Sequence, residues 1–417
     1  MRYLIGIVGA VCLAATAVAE GVDDAKLFDA SRKAVLDGRY LDATTMLEPA
    51  AFGPGASDSA PPRQLWTQFT PFMTNELDPT VFGSKTPPAD PKAMAALAQA
   101  TPHDAIAEIV RRAKDRQIVI LNEAHYSPRD RAFALQVARA LRPLGFSVLA
   151  AETLRNFAAP GLARTGAEQF DADGIVRRST GFYSADPVFA NFLRSAYALG
   201  YRTLSYEQRA DQSTPEGGVP EREEAQAQNL MAFLRSDPKA KMLIYVGHGH
   251  LSKASEDADS AMMGERLKRL SGIDPLTIDQ VALAGLRPSL RAEQLAASAR
   301  AGDRPVIFLT GAVPLLIGDR YPGSIDLQVV HPLRSYRHGR PSWLASLGGR
   351  PITIPVDLLP KAGKRLIQAF DAAEPVDAVP LDQVLAEAGK PAPMLMLPPA
   401  RRVRYTVQDP AVVPLTP

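Results

Sequence analysis

Short apolar runs alternate with amphipathic segments between about residues 104 and 281. Within 129–141, for example, Phe133, Val137 and Leu141 recur at intervals of four residues, a spacing typical of a helix. The apolar runs between such segments predict strands at 117–121, 147–151, 202–206, 242–246 and 276–281. Strands separated by helices of about 10 to 15 residues favour an α/β fold, with a mainly parallel sheet that has helices on both faces.

Four of the predicted strands end in residues that can carry protons or bind a cation. They are Glu123 and His125 after the first strand, Glu152 after the second, Glu207 after the third, and His248 with His250 after the fourth. The carboxyl ends of parallel strands lie side by side, and open α/β sheets bind ligands at this edge. We therefore expect these carboxylates and imidazoles to share one crevice.

Two short motifs concentrate this chemistry. In Asn122-Glu123-Ala124-His125 the acid and the imidazole leave the strand on the same side, so both can address one ion or one water. In Gly247-His248-Gly249-His250 the glycines allow a backbone or a ligand to approach closely. Imidazoles at this spacing suit zinc, manganese or iron, and they equally suit a general base with a polarising donor.

Each acidic residue also has a purely structural explanation. The alternative partners are Arg129 for Glu123, Arg155 for Glu152 and Arg209 for Glu207, with His125 capping the next helix. Buried together, however, the carboxylates cannot all ionise without a cation. The crevice would then hold a metal ion or contain a carboxyl whose pKa is raised for acid–base chemistry.

Residues 1–19 have the features of a cleavable signal peptide: a positive start, the apolar stretch 3–16 and the small-x-small sequence Ala17-Val18-Ala19. The apolar stretch is shorter than the ~20 residues of a spanning helix, so we expect a periplasmic or secreted protein with no membrane span after cleavage. Cys12, the one cysteine, lies in this segment. The exported chain would therefore have no disulfide, thiolate metal site or cysteine nucleophile.

The remaining regions are assigned from composition and spacing. Residues 20–92 are predicted to form a helical hairpin, 24–37 and 40–47, with Pro49 ending its second helix, followed by a Pro-rich linker. Residues 93–390 are assigned to the α/β domain, in which strands at 305–310, 324–330 and 352–356 continue the same sheet. Residues 391–417 are rich in proline and are predicted to form an extended arm.

Charge and missing motifs narrow the class of partner. The chain has 47 basic and 45 acidic residues, and a formal charge of +2 gives no field that would attract nucleic acid or an anionic membrane. The sequence has no Gly-rich phosphate loop, no Gly-x-Ser-x-Gly elbow and no His-Glu-x-x-His pair. These observations argue against a kinase, a serine hydrolase of the common fold or a zincin, and they leave a small-molecule or peptide substrate.

Two segments of the chain resemble a known superfamily. Residues 118–152 contain the acidic-x-His sequence after a strand, then Leu144-Gly145-Phe146 and a strand ending in Glu152, and residues 244–253 contain Gly-His-Gly-His-Leu. Over about residues 104–285 the chain is similar to the ChaN, Tiki/TraB and erythromycin-esterase-like superfamily. The positions that match its motif residues are Glu123, His125, Glu152 and His250.

The resemblance implies different activities in different branches. ChaN-like members are taken to bind haem or iron, Tiki-like members to be metal-dependent peptidases, and the esterase branch to open macrolide lactones by acid–base catalysis. Here Asn122 stands where glycine is usual, and Arg129-Asp130 stands where ChaN-like chains tend to carry a further histidine. These departures weaken the haem interpretation, and the shorter Glu-x-His spacing weakens the esterase interpretation.

Together these observations predict an exported hydrolase of an ester or an amide. A divalent ion, Zn, Mn or Fe, would activate a water whose proton passes to Glu123, with ligands drawn from His125, Glu152, Glu207, His248 and His250. Without a metal, His125 would be the base and Glu123 would orient it. Arg129 or Arg131 would stabilise the oxyanion. The alternative is an iron- or haem-uptake protein without turnover, with Tyr126, Phe182 and Tyr183 lining an apolar slot.

Overall fold

A computed structural model of the chain describes residues 24–57, 60–78, 81, 89–157, 163–215, 217–255, 257, 259–283, 292–318 and 323–410. The predicted signal peptide with Cys12 lies outside the described residues, as do Phe82 of the linker and the last residues of the arm, 411–417. Within the described ranges, none of the helices combines the length and apolar character needed to cross a membrane.

Helices cover the amino-terminal region and alternate with strands in the middle of the chain. The helices are α1 (Asp24–Leu36), α2 (Tyr40–Phe52), α3 (Pro61–Thr74), α4 (Pro91–Gln99), α5 (Ala105–Ala113), α6 (Pro128–Leu141), α7 (Gly166–Asp173), α8 (Pro187–Ala198), α9 (Gly218–Ser236), α10 (Met263–Ser271) and α11 (Ala292–Arg300). The strands are β1 (Thr101–Asp104), β2 (Ile118–Glu123), β3 (Phe146–Ala151), β4 (Arg202–Leu204), β5 (Lys241–Gly247), β6 (Leu276–Asp279), β7 (Val306–Thr310), β8 (Val313–Pro314), β9 (Leu327–Gln328), β10 (Tyr336–Arg337), β11 (Arg340–Pro341), β12 (Arg350–Ile352), β13 (Lys364–Asp371), β14 (Asp382–Glu387), β15 (Leu395–Leu397) and β16 (Val403–Gln408).

The main sheet has six strands in the order β4-β3-β5-β2-β6-β9, and every neighbouring pair is parallel. Its register pairs Glu123 with Gly247 and Ala151 with Tyr245, so that β2, β3 and β5 end at nearly the same level. This confirms the predicted α/β fold. The prediction succeeded because both faces of these strands are apolar, as expected for a sheet covered on both sides.

Alternate strand residues pack on opposite faces of the sheet. Val119 and Leu243 contribute to one buried cluster with Phe133 of α6. Ile120 contributes to the other cluster with Leu230 of α9. Helices therefore cover both faces, and the carboxyl edge of the sheet is the part left for a site.

The amino-terminal region contains the predicted helical hairpin, α1 and α2, and a third helix, α3, packs against it where a linker was predicted. Pro49 lies inside α2, so the prediction that it ends the helix is wrong. The buried face of α2 continues to Ala51, and this packing outweighs the backbone hydrogen bond that proline removes. Helix α3 lies where a linker was predicted, because Pro61 occupies the first turn, where proline is tolerated, and Phe69 and Phe72 are buried.

The carboxyl-terminal part corrects the predicted continuation of the sheet. Among the described strands after β6, only β9 belongs to the main sheet. Strand β7 pairs with β1 and β8, and β13 lies between β14 and β16 in an antiparallel sheet. The described part of the predicted arm is also not an extended tail, because β15 pairs with β12 and β16 pairs with β13. These strands find partners far away in the chain, which local pattern does not specify.

Candidate active site

The carboxyl edge of the main sheet brings together the acids and imidazoles that follow its strands. The Glu152 amide donates to the Tyr245 carbonyl (3.0 Å), and the His248 amide donates to the Glu123 carbonyl (2.8 Å). The Gly247 amide donates to Glu152 Oε2 at 2.5 Å. These bonds tie the ends of β2, β3 and β5 to one another, so the side chains that leave them meet in one place.

Glu123 and His125 form the first histidine–glutamate pair. His125 Nδ1 lies 3.0 Å from Glu123 Oε1, and Arg131 donates to both carboxylate oxygens of Glu123 (2.8 and 2.9 Å). Burial raises the pKa of Glu123, but the charge of Arg131 and the hydrogen bonds from His125 and Arg131 outweigh it and bring this pKa down to about 2. Glu123 is therefore ionised and holds the Nδ1 proton of His125, which leaves Nε2 as the acceptor.

The loop that carries His125 is held by Asp130. The Ala124 amide donates to Asp130 Oδ2 (2.9 Å), and the Ser127 hydroxyl donates to Asp130 Oδ1 (2.8 Å). Burial raises the pKa of Asp130 to about 7. This carboxyl faces the loop backbone, so its role is to fix the position of His125.

Glu223 and His250 form a second histidine–glutamate pair. His250 Nδ1 lies 2.6 Å from Glu223 Oε1, although the approach is too oblique for a well-directed hydrogen bond. Glu223 is itself fixed, because its Oε2 accepts from the Met263 amide at 2.6 Å. Burial lowers the pKa of His250, but the negative charges of Glu152 and Glu223 outweigh burial, and the net shift is upward. His250 therefore holds a proton to higher pH than an ordinary histidine.

Arg222 is the cation that joins the remaining carboxylates. It donates to Glu152 Oε1 (2.8 Å) and to both oxygens of Glu207 (2.5 and 3.0 Å), and its Nη1 lies 3.3 Å from His250 Nε2. Burial raises the pKa of Glu152, but the charges of His250, Arg222 and His125 hold it well below its usual range. Glu152 is thus an ionised carboxylate close to both imidazoles.

The predicted metal ligands were His125, Glu152, Glu207, His248 and His250. The structure places the guanidinium of Arg222 between Glu152 and Glu207, where a shared ion would have to lie. In the part of the chain that is described, no group of three histidine, cysteine or acidic side chains has the arrangement of a metal site. The oxygens of Glu152 and Glu207 therefore bind a guanidinium at the position where a divalent ion would be expected.

A haem group does not fit the space beside these residues. The cleft has an empty volume of about 160 Å3 and is lined by Glu123, His125, Glu152, Thr153, Tyr183, Phe189, Tyr245, Val246 and Gly247. The side chains fill this region so closely that no gap large enough for a water molecule is left between them. Tyr183 stacks on His125 with the ring centroids 4.0 Å apart, and Tyr126 lies beside His248 (6.2 Å) rather than along an open slot.

Neither arginine predicted to stabilise an oxyanion faces the cleft. Arg131 is fully buried, and its donors go to Glu123, Asp186 and the His125 carbonyl. Arg129 donates to the Pro332 carbonyl (3.2 Å). The prediction that Arg129 or Arg131 stabilises an oxyanion is therefore wrong, because neither side chain points into the cleft. The structural alternatives are right that each acid pairs with an arginine but wrong about which one. Glu123 pairs with Arg131, Glu152 and Glu207 pair with Arg222, and Arg209 pairs with Asp211.

Sequence reasoning missed Arg222, Glu223 and Asp186. Arg222 and Glu223 lie in the first turns of α9, the helix that follows β4. A helix that follows a parallel strand begins at the carboxyl edge of the sheet, so charged residues in its first turns are candidates for the site. That signal was present in the sequence. Asp186 lies in a connecting segment before α8, for which the sequence offers no such signal. Tyr183, which was predicted to line a haem slot, lies on the wall of the cleft.

Gly247 is required by the close approach of His125. A Cβ atom at this position would lie 2.4 Å from His125 Cε1, 2.6 Å from its Nε2 and 3.0 Å from Glu152 Oε2. We expect Gly247→Ala to displace the imidazole and, in the ester or amide hydrolysis that is proposed for this site, to lower kcat by about 100-fold, because a misplacement of about 1 Å has that effect. Steady-state kinetics of the folded variant measures this. Gly349→Ala is the matched control, since its Cβ would meet the Met396 backbone at 3.0 Å, in the β12–β15 pair. Equal kcat in Gly247→Ala and wild type would contradict the expectation.

No family model matches the chain, and no curated protein matches it. Among solved structures, it is similar to RRSP, a MARTX toxin effector domain from Vibrio vulnificus CMCP6, with 17% identity over 61% of this chain and 45% of that chain and a TM-score of 0.30. It is also similar to the type III effector HopBA1, with 16% identity over 45% of this chain and 87% of that chain and a TM-score of 0.30. A third is the C-terminal region of Pasteurella multocida toxin, described as having a thiol-protease like catalytic triad, with 14% identity over 57% of this chain and 33% of that chain and a TM-score of 0.29.

The chain spans less than half the length of the first of these structures. At such identities and TM-scores the similarity carries no conclusion about activity. The resemblance of the motifs to the ChaN, Tiki/TraB and erythromycin-esterase-like superfamily stays a prediction.

Proposed function

We propose that this protein is a hydrolase that cleaves an ester or an amide with two histidine–glutamate pairs and without a metal ion. The observation that carries the proposal is the arrangement around Glu152. His250 Nε2 lies 3.9 Å from Glu152 Oε1, and His125 lines the same cleft as Glu152. The Nδ1 atom of each imidazole lies within 3.0 Å of a second glutamate. Two imidazoles that are oriented in this way can divide the work of a base and an acid.

In the proposed reaction His125 is the general base. Its Nε2 accepts a proton from a water molecule, whose oxygen forms a bond to the substrate carbonyl carbon. Glu123 holds the opposite side of the ring and stabilises the imidazolium that forms, because the carboxylate stays ionised (pKa about 2). The negative charge of Glu152 stabilises the same imidazolium from the cleft side.

His250 is the general acid. Its raised pKa keeps it protonated in a larger fraction of molecules at neutral pH than an unperturbed histidine. As the tetrahedral intermediate collapses, the carbon–oxygen or carbon–nitrogen bond breaks and the leaving atom takes the proton of His250. Arg222 holds Glu152 and Glu207 in place and supplies the positive charge that these two buried carboxylates require.

The proposal is tested with a panel of small esters and peptide amides, assayed with and without a strong chelator. We expect turnover of at least one ester, unchanged by the chelator, and less than stoichiometric Zn, Mn and Fe by elemental analysis of the untreated protein. Turnover that the chelator abolishes and that one of these metals restores would contradict the metal-free mechanism. A Soret band on addition of haemin, with no turnover of any panel member, would favour the binding alternative instead.

A further inference from the structure

The histidine loop, residues 247–250 at the end of β5, has one residue in a strained backbone conformation. His248 has φ = 38°, in the left-handed region that residues other than glycine rarely adopt. Its neighbours Gly247 and Gly249 could adopt such a conformation without strain. Strained backbone persists only where surrounding contacts hold it, and it is concentrated in functional sites. The contacts that hold His248 are therefore candidates for a functional role.

Asn122, near the end of β2, makes one of these contacts. Its Nδ2 donates to the His248 carbonyl (2.8 Å) and to Asp279 Oδ1 (2.8 Å). Its Oδ1 accepts from the Gln280 amide (2.9 Å). One primary amide thus serves two acceptors and one donor, which an ionised aspartate at this position could not do. Asn122 is fully buried, so water does not compete for these hydrogen bonds.

The next residue of β2 holds the other side of His248. The His248 amide donates to the Glu123 carbonyl (2.8 Å), while the His248 carbonyl accepts from Asn122. These two hydrogen bonds fix the peptide groups on both sides of the His248 Cα atom, and the orientation of those groups sets φ and ψ. The strained conformation therefore follows from the bonds to β2 rather than from the sequence of the loop itself.

The histidine loop contacts both histidine–glutamate pairs. Gly247 lies against the imidazole of His125, because a Cβ atom at this position would overlap that ring. His250, at the other end of the loop, has its Nδ1 2.6 Å from Glu223 Oε1. A shift of the loop would therefore move the imidazoles of His125 and His250 relative to each other.

We propose that Asn122 is a positioning residue, which keeps His125 and His250 in their relative places by holding His248 in its strained conformation. That this arrangement serves hydrolysis rests on the proposed function. The hold of Asn122 on the loop does not, because it can be measured through stability alone. Without Asn122, the loop relaxes to an unstrained conformation. With His248→Gly the loop has no such strain to release, since glycine adopts a positive φ readily.

The first experiment is a double-mutant cycle on kcat. We expect Asn122→Ala to lower kcat for an ester by about 100-fold, the effect of a misplacement of about 1 Å, with KM nearly unchanged. In a His248→Gly background the same substitution should lower kcat by about tenfold or less, because no strain moves the loop. His338→Gly is the matched control background, since His338 also has a positive φ (55°) and lies between β10 and β11. There the loss should stay at about 100-fold. Equal losses in the wild-type and His248→Gly backgrounds would overturn the proposal.

The second experiment needs no substrate. The strain that Asn122 imposes lowers the denaturant midpoint of wild type, and His248→Gly removes that strain. The change in midpoint that His248→Gly produces should therefore be more favourable in wild type than in Asn122→Ala, in which the strain is already released. His338→Gly should produce the same change in both backgrounds, and it corrects for the unfolded-state entropy that an added glycine brings. The same change for His248→Gly in both backgrounds would overturn the hold of Asn122 on the loop.

The two experiments together separate this proposal from the hydrolase proposal. No turnover by wild type, with the expected difference in midpoints, would support the hold of Asn122 on the loop and contradict hydrolysis. Turnover by wild type with an equal kcat in Asn122→Ala would overturn the positioning role while the hydrolase proposal stands. If Asn122→Ala does not fold, Asn122→Ser replaces it in both experiments, because its side chain keeps a polar group near Asp279 but is one bond shorter than the amide that reaches His248.

Discussion

His125→Ala is expected to lower kcat for ester hydrolysis by about 10²–10⁴-fold, the usual contribution of a general base. The variant removes the imidazole whose Nδ1 lies against Glu123 and leaves Glu123 paired with Arg131, so no buried charge loses its cation. The thermal midpoint should therefore change little. Steady-state kinetics on the ester from the panel, together with a melting curve, separates lost chemistry from lost fold.

His103→Ala is the matched control for this variant. His103 is exposed on β1, in the small antiparallel sheet that β1 forms with β7 and β8. Its kcat should equal that of wild type. A His125→Ala protein that folds and retains more than about a tenth of wild-type kcat would assign the base to another group, because loss of a base costs at least ~10². The other imidazole close to Glu152, that of His250, would then be the candidate.

The convergence of Glu123, Glu152 and His250 could be predicted because it follows from one rule. Parallel strands with short βα connections present their carboxyl ends at one edge, and the register observed between β2, β3 and β5 places those ends at the same level. The same rule does not state which partner each acid takes. Arg222, which binds both Glu152 and Glu207, is contributed by α9, and only the rotation of that helix about its axis turns the guanidinium toward the cleft.

The packing of the two ends of the chain could not be read from local pattern. Gln383 of β14 donates to the Phe72 carbonyl at the end of α3, and Leu366 of β13 packs in the same cluster as Phe69 and Tyr40. Contacts between residues about three hundred positions apart are set by the complete fold rather than by any window of sequence. The amino-terminal layer nevertheless matters for the site, since the Tyr40 hydroxyl donates to the Ala185 carbonyl (2.8 Å), next to Asp186.

Arg131→Met is expected to lower the free energy of unfolding by about 3–5 kcal/mol, the range for breaking a buried ion pair by removal of one partner. Arg131 is fully buried and donates to Glu123 and to Asp186 Oδ2 (2.8 Å), both of which are buried as well. Without the arginine, two carboxylates remain in the interior with no cation. Denaturant unfolding of wild type and variant measures the difference. Arg202→Met removes an exposed pair with Asp237 and should have a much smaller effect.

The pH dependence of the free energy of unfolding identifies why Arg131→Met is less stable. In wild type, Arg131 and His125 outweigh the burial of Glu123 and bring its pKa to about 2, so its contribution to stability is complete above the unfolded value of about 4.3 and is lost as the pH falls toward 2. Burial already raises the pKa of Asp186 to about 6, against the charge of Arg131. Without Arg131 the pKa values of Glu123 and Asp186 both rise. The folded variant then binds more protons than the unfolded chain near neutral pH, so its stability increases as the pH falls. The difference in free energy of unfolding between wild type and Arg131→Met should therefore be smaller at pH 5 than at pH 8. A deficit that is the same at both values would mean that lost packing against Phe72 and Phe189, rather than uncompensated charge, causes the loss.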